Sequence, residues 1–369
     1  MDNPGIQITW PRRGDILNRH DGLQAAEGLT VTVRGSAPAE AALTVTANGR
    51  PAAAIRRAGA SFKADVKVSD RRTDLRVAAA GSEATIPVLW DRDSFPRYRF
   101  SVDDNILFLK DLALGDYRSL FDHWYLAFWR EVHRRYGTKV HINIYYQTDP
   151  SVWDGPLFQL PQFPDRFRGE WQDNADWLHL TFHAKQNKPD RPYRHSGYDE
   201  VAHDYDRIVE QITRFAGEEL LSNFTTVHWA EATADGVKAL KERGVKGLIG
   251  LFSQRRTEDA ATKYYLSHEM ADYIATREYW WDPDMDMIYL SCDMVVNSYE
   301  LDDVVPHLET VGASPHTSEL VELLIHEQYF RKELSIFQPD VQEKVIRAVE
   351  WISERGNKPV FWGDGFIGA

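Results

Sequence analysis

From residue 97 onward the 369-residue chain alternates short apolar runs with amphipathic stretches, and this alternation restricts the fold more than any other feature. Strand-like runs fall near 98–104, 140–147, 176–182, 225–230, 246–252, 288–294, 321–327 and 358–363, and helical periodicity covers 117–136, 199–215, 234–243, 302–311 and 340–355. Gly137, Gly217, Gly244, Gly312 and Gly356 each follow a helical stretch, where a residue tolerant of positive φ is expected to end the helix. Helices between strands imply parallel neighbours, because a crossover has to carry the chain back to the same end of the sheet. About eight strands favour a closed or partly closed (β/α) barrel, with a doubly wound open sheet second.

The first quarter of the chain reads differently. Ile6-Gln7-Ile8-Thr9, Leu29 to Val33, Leu43-Thr44-Val45-Thr46 and Asp74-Leu75-Arg76-Val77 alternate apolar with polar residues, and Asn48-Gly49 suits a tight hairpin turn. The spacing fits a β-sandwich, and the pattern resembles bacterial immunoglobulin-like modules attached to carbohydrate enzymes. The expected organisation is therefore a sandwich over residues 1–94, a short linker ending at Pro96, and an α/β domain over 95–369. The sandwich carries no cluster of reactive side chains, so a structural role is expected for it, with glycan binding as the lesser alternative.

Composition excludes several classes of function. The formal charge of −13 argues against a nucleic-acid partner, and it is unevenly spread: +2 over residues 1–96 and −15 over the remainder. No run approaches the roughly 18 apolar residues of a membrane span. The opening Met1 to Gly5 lacks the basic and apolar parts of a secretory signal, which favours a cytoplasmic protein unless a leader has been removed. A single cysteine, Cys292, excludes an intrachain disulfide and a cysteine-clustered zinc site, so any metal ligands would be His, Asp and Glu. Oligomeric state is not legible.

Barrel enzymes carry their reactive groups at the carboxyl ends of strands. Here Asp103 and Asp104 close the first strand, His179 and His183 the third, and Asp293 the sixth. His228 and Glu231 follow the fourth, His326 and Glu327 end the seventh, and Asp364 follows the last. Adjacent residues on a regular strand face opposite ways, so Asp103 and Asp104 can serve one site only if the backbone turns there. Their bland alternative is a helix N-cap. His179 and His183 lie roughly 13 Å apart along an extended strand, too far for one ion, so the strand has to break between them or His183 has to find other partners, such as His228 or Glu231. His326 has the chemistry of a general acid, and Asp293 could orient it. His141, Asn143 and Tyr145 share one strand face and could line the barrel mouth.

In their order these motifs resemble the polysaccharide deacetylases, the NodB-homology family of metal-dependent carbohydrate esterases on a distorted (β/α) barrel. Phe100-Ser101-Val102-Asp103-Asp104 is similar to the family's opening Asp-Asp strand, His179-Leu180-Thr181-Phe182-His183 to its His-x-x-x-His motif, and Leu323-Leu324-Ile325-His326 to its late Leu-x-x-His motif. The resemblance implies Asp103 as general base, Asp104, His179 and His183 as ligands of a divalent metal ion with zinc as first choice, His326 as general acid, and Asp293 as the aspartate that tunes it. Two departures stand out. His228-Trp229-Ala230-Glu231 occupies the place of the Arg-Pro-Pro-Tyr-type motif, and Arg191-Pro192-Tyr193 comes before the helix instead.

The function expected is metal-dependent hydrolysis of an acyl group, most simply acetate, from an N- or O-acetylated sugar, with a carbohydrate as the partner and neither nucleic acid nor membrane. Two alternatives remain open. One is a glycoside hydrolase using carboxylates such as Glu231, Glu327 and Asp364, and the other a non-catalytic glycan-binding protein.

Overall fold

The computed structural model describes residues 5–252 and 263–364, so the opening Met1 to Pro4 lies outside it. The described residues form two compact units, one of residues 5–94 with Tyr279–Ile288, the other of Phe95–Glu278 and Tyr289–Asp364.

In the first unit, two five-stranded sheets share one core. One runs in the order Gln7–Trp10, Gly28–Ser36, Ser61–Val68, Ala54–Ala58, with Leu23–Ala25 also pairing on Gly28–Ser36. The other runs Ile16–Leu17, Ser82–Trp90, Arg72–Ala79, Leu43–Ala47, Arg50–Pro51. Strand alternation turns Leu29, Val31 and Val33 of the first sheet and Leu75 and Val77 of the second into the same apolar cluster. Asn48 and Gly49 take φ of 47° and 78°, which gives the hairpin turn legible in the sequence. Tyr279–Ile288 joins this unit through Trp281 N–H donating to Gly14 O at 3.0 Å and Trp280 Nε1–H to Arg13 O at 2.8 Å.

The second unit is built on a parallel sheet in the order Leu178–Ala184, Val140–Tyr145, Arg97–Asn105, Leu320–His326, Met294–Val295, with Lys358–Pro359 also pairing on Arg97–Asn105. Every residue of Arg97–Asn105 is buried, as expected where both faces of a parallel strand are covered. Helices Tyr198–Phe215, Ala234–Glu242, Val304–Gly312 and Val341–Glu354 match the expected stretches to within two residues. Gly137 caps its helix at φ 71° as expected. Gly312 does not. It is the last helical residue, and a side chain there would stand 3.1 Å from Trp351, so close packing accounts for this glycine.

Among the described residues the barrel does not close. Phe224–Thr225, Gly247–Gly250 and Met287–Ser291 belong to a separate sheet, joined to the edge strand Leu178–Ala184 by the isolated bridge Leu180↔Leu221 and by side-chain hydrogen bonds such as Thr225 Oγ1 to Phe182 O, with no continuous ladder among the described residues. The strand expected over 225–230 stops after Thr225, and Trp229 and Ala230, at φ of 66° and 48°, could not have continued the pleat.

One face of the central strand is polar. Arg99 pairs with Glu322 through Nη2–Oε1 at 2.7 Å and Nε–Oε2 at 2.9 Å, both side chains being 1% exposed. Glu322 also accepts from Trp362 Nε1 at 2.8 Å, and Arg99 contacts His141. Charges this deep are retained only with full pairing. Ser101 and Asp103 continue the same face toward the strand's carboxyl end.

Candidate metal and catalytic site

The site begins at a break in strand alternation. Asp104 has φ 63°, and the register with the neighbouring strand shifts between Val102 and Asn105. This left-handed residue turns both Asp103 and Asp104 toward one cavity of about 350 Å³ at the carboxyl ends of the strands.

Three electron-rich atoms meet there. His183 Nε2 lies 3.0 Å from Asp104 Oδ1, His228 Nδ1 lies 3.3 Å from the same oxygen, and the two nitrogens are 3.1 Å apart. The far side of each imidazole is fixed by a backbone carbonyl: His183 Nδ1–H donates to Thr226 O at 2.5 Å and His228 Nε2–H to Asn187 O at 3.0 Å. A carbonyl can only accept, so in the neutral rings the inner nitrogens both carry lone pairs. Two lone pairs and a carboxylate oxygen at such distances need a positive charge between them. Ligand atoms each about 2.0–2.1 Å from a tetrahedral ion stand about 3.3 Å apart, close to the spacings found, and outer N–H groups held by carbonyls are the usual support of metal-binding histidines. Asp104, His183 and His228 therefore fit a divalent metal.

When the imidazoles are protonated, protons supply that positive charge instead: burial opposes the Asp104 charge, but a charged His228 and hydrogen bonds donated by the inner nitrogens of protonated His183 and His228 hold its carboxyl well below the usual range. Burial also opposes charge on His183, yet Asp103 and Asp104 together leave its pKa raised. Tyr145 donates its hydroxyl to Asp104, and burial followed by the Asp104 charge pushes the phenol well above its ordinary value, so it stays a neutral donor.

His179 is not part of this group. Strand Leu178–Ala184 carries both histidines; its register shifts at His183, between the pairs Ile144↔Phe182 and Tyr145↔Ala184, but the chain stays extended between them and does not turn back. The ring of His179 stacks on Phe361 with centroids 3.6 Å apart, and burial lowers its pKa to about 4. Its expected place is taken by His228, delivered by the turn that ends the neighbouring ladder.

Asp103 and His326 are register partners on adjacent parallel strands, and both line the cavity. Asp103 accepts a hydrogen bond from Asn143. His326 Nδ1 meets Asn297 Oδ1 at 2.9 Å, which leaves Nε2 as its working nitrogen. Asp293 does not orient His326. Register pairs Met294 with Leu323 and Val295 with Leu324, so Asp293 sits at the level of Glu322, whose N–H it accepts at 2.8 Å, and Asn297 is the residue that reaches His326. Burial, helped by the Glu322 charge, pushes Asp293 well above the carboxylate range, and burial with the Asp293 charge does the same to Glu278.

The remaining expected residues are engaged elsewhere. Glu327 accepts the backbone N–H groups of Ile106, Leu107 and Phe108 at 2.9, 3.0 and 2.6 Å, where it caps helix Leu107–Leu114. Asp364 pairs with Lys139 at 3.2 Å and Glu231 with Arg191 at 3.0 Å. These three carboxylates do not line the cavity, so they do not form the pair expected there for glycosidic cleavage. His141 lies below the site against Arg99, and burial lowers its pKa well below the ordinary value. Asn143, Asn187 and Asn297 carry no titratable signal. Only period two along Val140–Tyr145 pointed to Asn143 and Tyr145.

No family model matches the chain, and no curated protein matches it. Among solved structures, the chain is similar to a peptidoglycan N-acetylglucosamine deacetylase at 10% identity and a TM-score of 0.38, over 75% of this chain and 92% of that one. It is similar to the CE4 domain of a multidomain xylanase from the hindgut metagenome of Trinervitermes trinervoides at 12% identity and a TM-score of 0.34, over 72% and 87% of the two chains. A CE4 family pseudoenzyme from Bacillus anthracis matches at 9% identity and a TM-score of 0.31, over 72% and 63%. Likenesses this distant decide neither fold nor chemistry, which rest on the residues above.

Proposed function

We propose that the chain is a metal-dependent hydrolase that removes an acyl group, most simply acetate, from an acetylated sugar. The observation that carries this is the meeting of the inner nitrogens of His183 and His228 at Asp104, beside the Asp103 and His326 pair. Asp104, His183 and His228 would hold the ion, and an N,N,O donor set suits zinc, cobalt or nickel. Such an ion supplies Lewis-acid polarisation of the acyl carbonyl and a more acidic water.

The chain's own residues do the rest. Asp103, held by Asn143, takes a proton from the attacking water. The water oxygen bonds to the acyl carbon, and the bond from that carbon to the amine nitrogen or alcohol oxygen breaks. His326, fixed through Nδ1 by Asn297, passes a proton from Nε2 to the departing atom, so that acetate and a free amine or hydroxyl result. Tyr145 keeps Asp104 oriented without competing as a base. The sugar part of the reading comes from the likeness of the Phe100 to Asp104 and Leu323 to His326 strand ends to the deacetylase motifs.

The test is metal analysis of the purified chain and its His183→Ala variant, combined with acetate release from a panel of N- and O-acetylated sugars. Wild-type protein that takes up none of zinc, cobalt or nickel rejects the mechanism. Bound metal without acetate from any substrate keeps the site and rejects the reaction.

A further inference from the structure

Beside the ligand His228 stands a residue with no part in the chemistry above. Trp229 lines the same cavity and is 41% exposed, although its neighbours His228 and Ala230 are 6% and 1% exposed. Its backbone is left-handed, at φ 66° and ψ 9°, and so is that of Ala230. Non-glycine residues occupy this region only where the surroundings impose it, and such positions gather at ligand sites. An indole would ordinarily be buried. Here the backbone is bent to leave it at the cavity wall.

A second element holds it there. The Arg191 guanidinium lies over the Trp229 ring at 5.3 Å, and Arg191 Nη1 is tied to Glu231 Oε1 at 3.0 Å, Glu231 itself being 7% exposed. Arg191 therefore covers the ring from one direction and is kept from leaving by a nearly buried carboxylate. This gives Arg191 and Glu231 a place beside the site that the hydrolytic steps do not use.

We propose that Trp229 is a stacking platform for a pyranose ring of a saccharide ligand, positioned by the Arg191–Glu231 pair. The ligand class follows from what surrounds the ring. A pyranose has a face of C–H groups that packs on an aromatic surface and a rim of hydroxyls. Around the cavity, Lys188 and Asp190 pair with each other at 2.7 Å, and the ammonium's further N–H groups and the carboxylate's second oxygen remain as donor and acceptor for that rim. Lys188 is paired with Asp190 and Arg191 with Glu231, so the cations beside the ring are already balanced by carboxylates, which disfavours phosphorylated aromatic ligands that would otherwise stack equally well. The proposal rests on the hydrolase reading for which bond lies near Asp103, but not for the ring contact.

Calorimetric titration of the zinc-supplied full chain with N-acetylglucosamine tetramer, its deacetylated counterpart, xylotetraose and adenosine tests this. At least one saccharide binds, Trp229→Ala weakens it about tenfold or more, and Trp229→Phe, which keeps a ring, stays within about threefold. Three results overturn the platform: Trp229→Ala binding as tightly as wild type, wild type binding none of the three saccharides, or wild type binding adenosine alone. Acetate release read in parallel separates the two ideas. Saccharide binding that depends on Trp229 without any release rejects the hydrolase and keeps the platform, whereas release with binding indifferent to Trp229 does the reverse.

Discussion

His183 and His228 face each other across 3.1 Å, Nε2 to Nδ1, with each ring's outer N–H tied to a backbone carbonyl. Neither ring can turn its lone pair away without giving up that bond, so the pair is set for a cation before one arrives. His183→Ala or His228→Ala should abolish stoichiometric zinc uptake, and Tyr145→Phe should weaken it about 10- to 100-fold, as loss of a supporting hydrogen bond does. His179→Gln should bind zinc as wild type does. Zinc titration against a competing chelator measures all four, and loss of uptake in the His179 variant would return that residue to the site.

Asp103 lies close to the ligands without being one, so its effects on binding and on rate should separate. Asp103→Asn should keep the metal and lower kcat by about 10²- to 10⁴-fold, the usual worth of a general base. Parallel metal analysis and single-turnover acetate release check this. Asp103→Asn protein with wild-type kcat would exclude it as the base.

His179 makes stability depend on pH. Burial lowers its folded pKa to about 4, below the roughly 6.5 of the unfolded chain. The contribution is thus fully present above about pH 6.5 and is lost as pH falls toward 4, because the unfolded chain takes up the proton first. Urea midpoints should fall less between pH 7 and 4.5 in His179→Phe than in wild type. Parallel curves for the two proteins would contradict this.

The pair of Arg99 and Glu322 offers a test of the polar layer beneath the site. Glu322→Gln leaves a buried guanidinium without its counter-charge and should cost about 3–5 kcal/mol, whereas Arg99→Met combined with Glu322→Leu should recover much of that loss. Chemical denaturation of the single and double variants decides it. A single variant with unchanged stability would show the charges to be hydrated.

Much of the scaffold was legible because periodicity is a local signal. Alternation along Gly28–Ser36 and Arg72–Ala79 marked the sandwich core, and helical spacing placed Tyr198–Phe215 and Val341–Glu354 to within a residue or so. The helix Leu107–Leu114 was missed, since its start is set by Glu327, 220 residues along from Leu107. Of the closed or partly closed barrel expected, full closure is absent among the described residues, and nothing in Thr225 to Ala230 announces two consecutive non-glycine residues at positive φ.

By itself, the sequence determined which strands end in reactive groups, since Asp103, Asp104, His183 and His326 follow apolar runs whose pleat fixes their direction. Only the tertiary structure decided which of those groups meet. His179 shares a strand with His183, yet the extended backbone holds the two too far apart for one ion. His228 comes from 45 residues away and brings its nitrogen within 3.1 Å. The same logic gave His326 to Asn297 in place of Asp293: parallel register set the level of each residue along the sheet, and level, not order in the chain, determines contact.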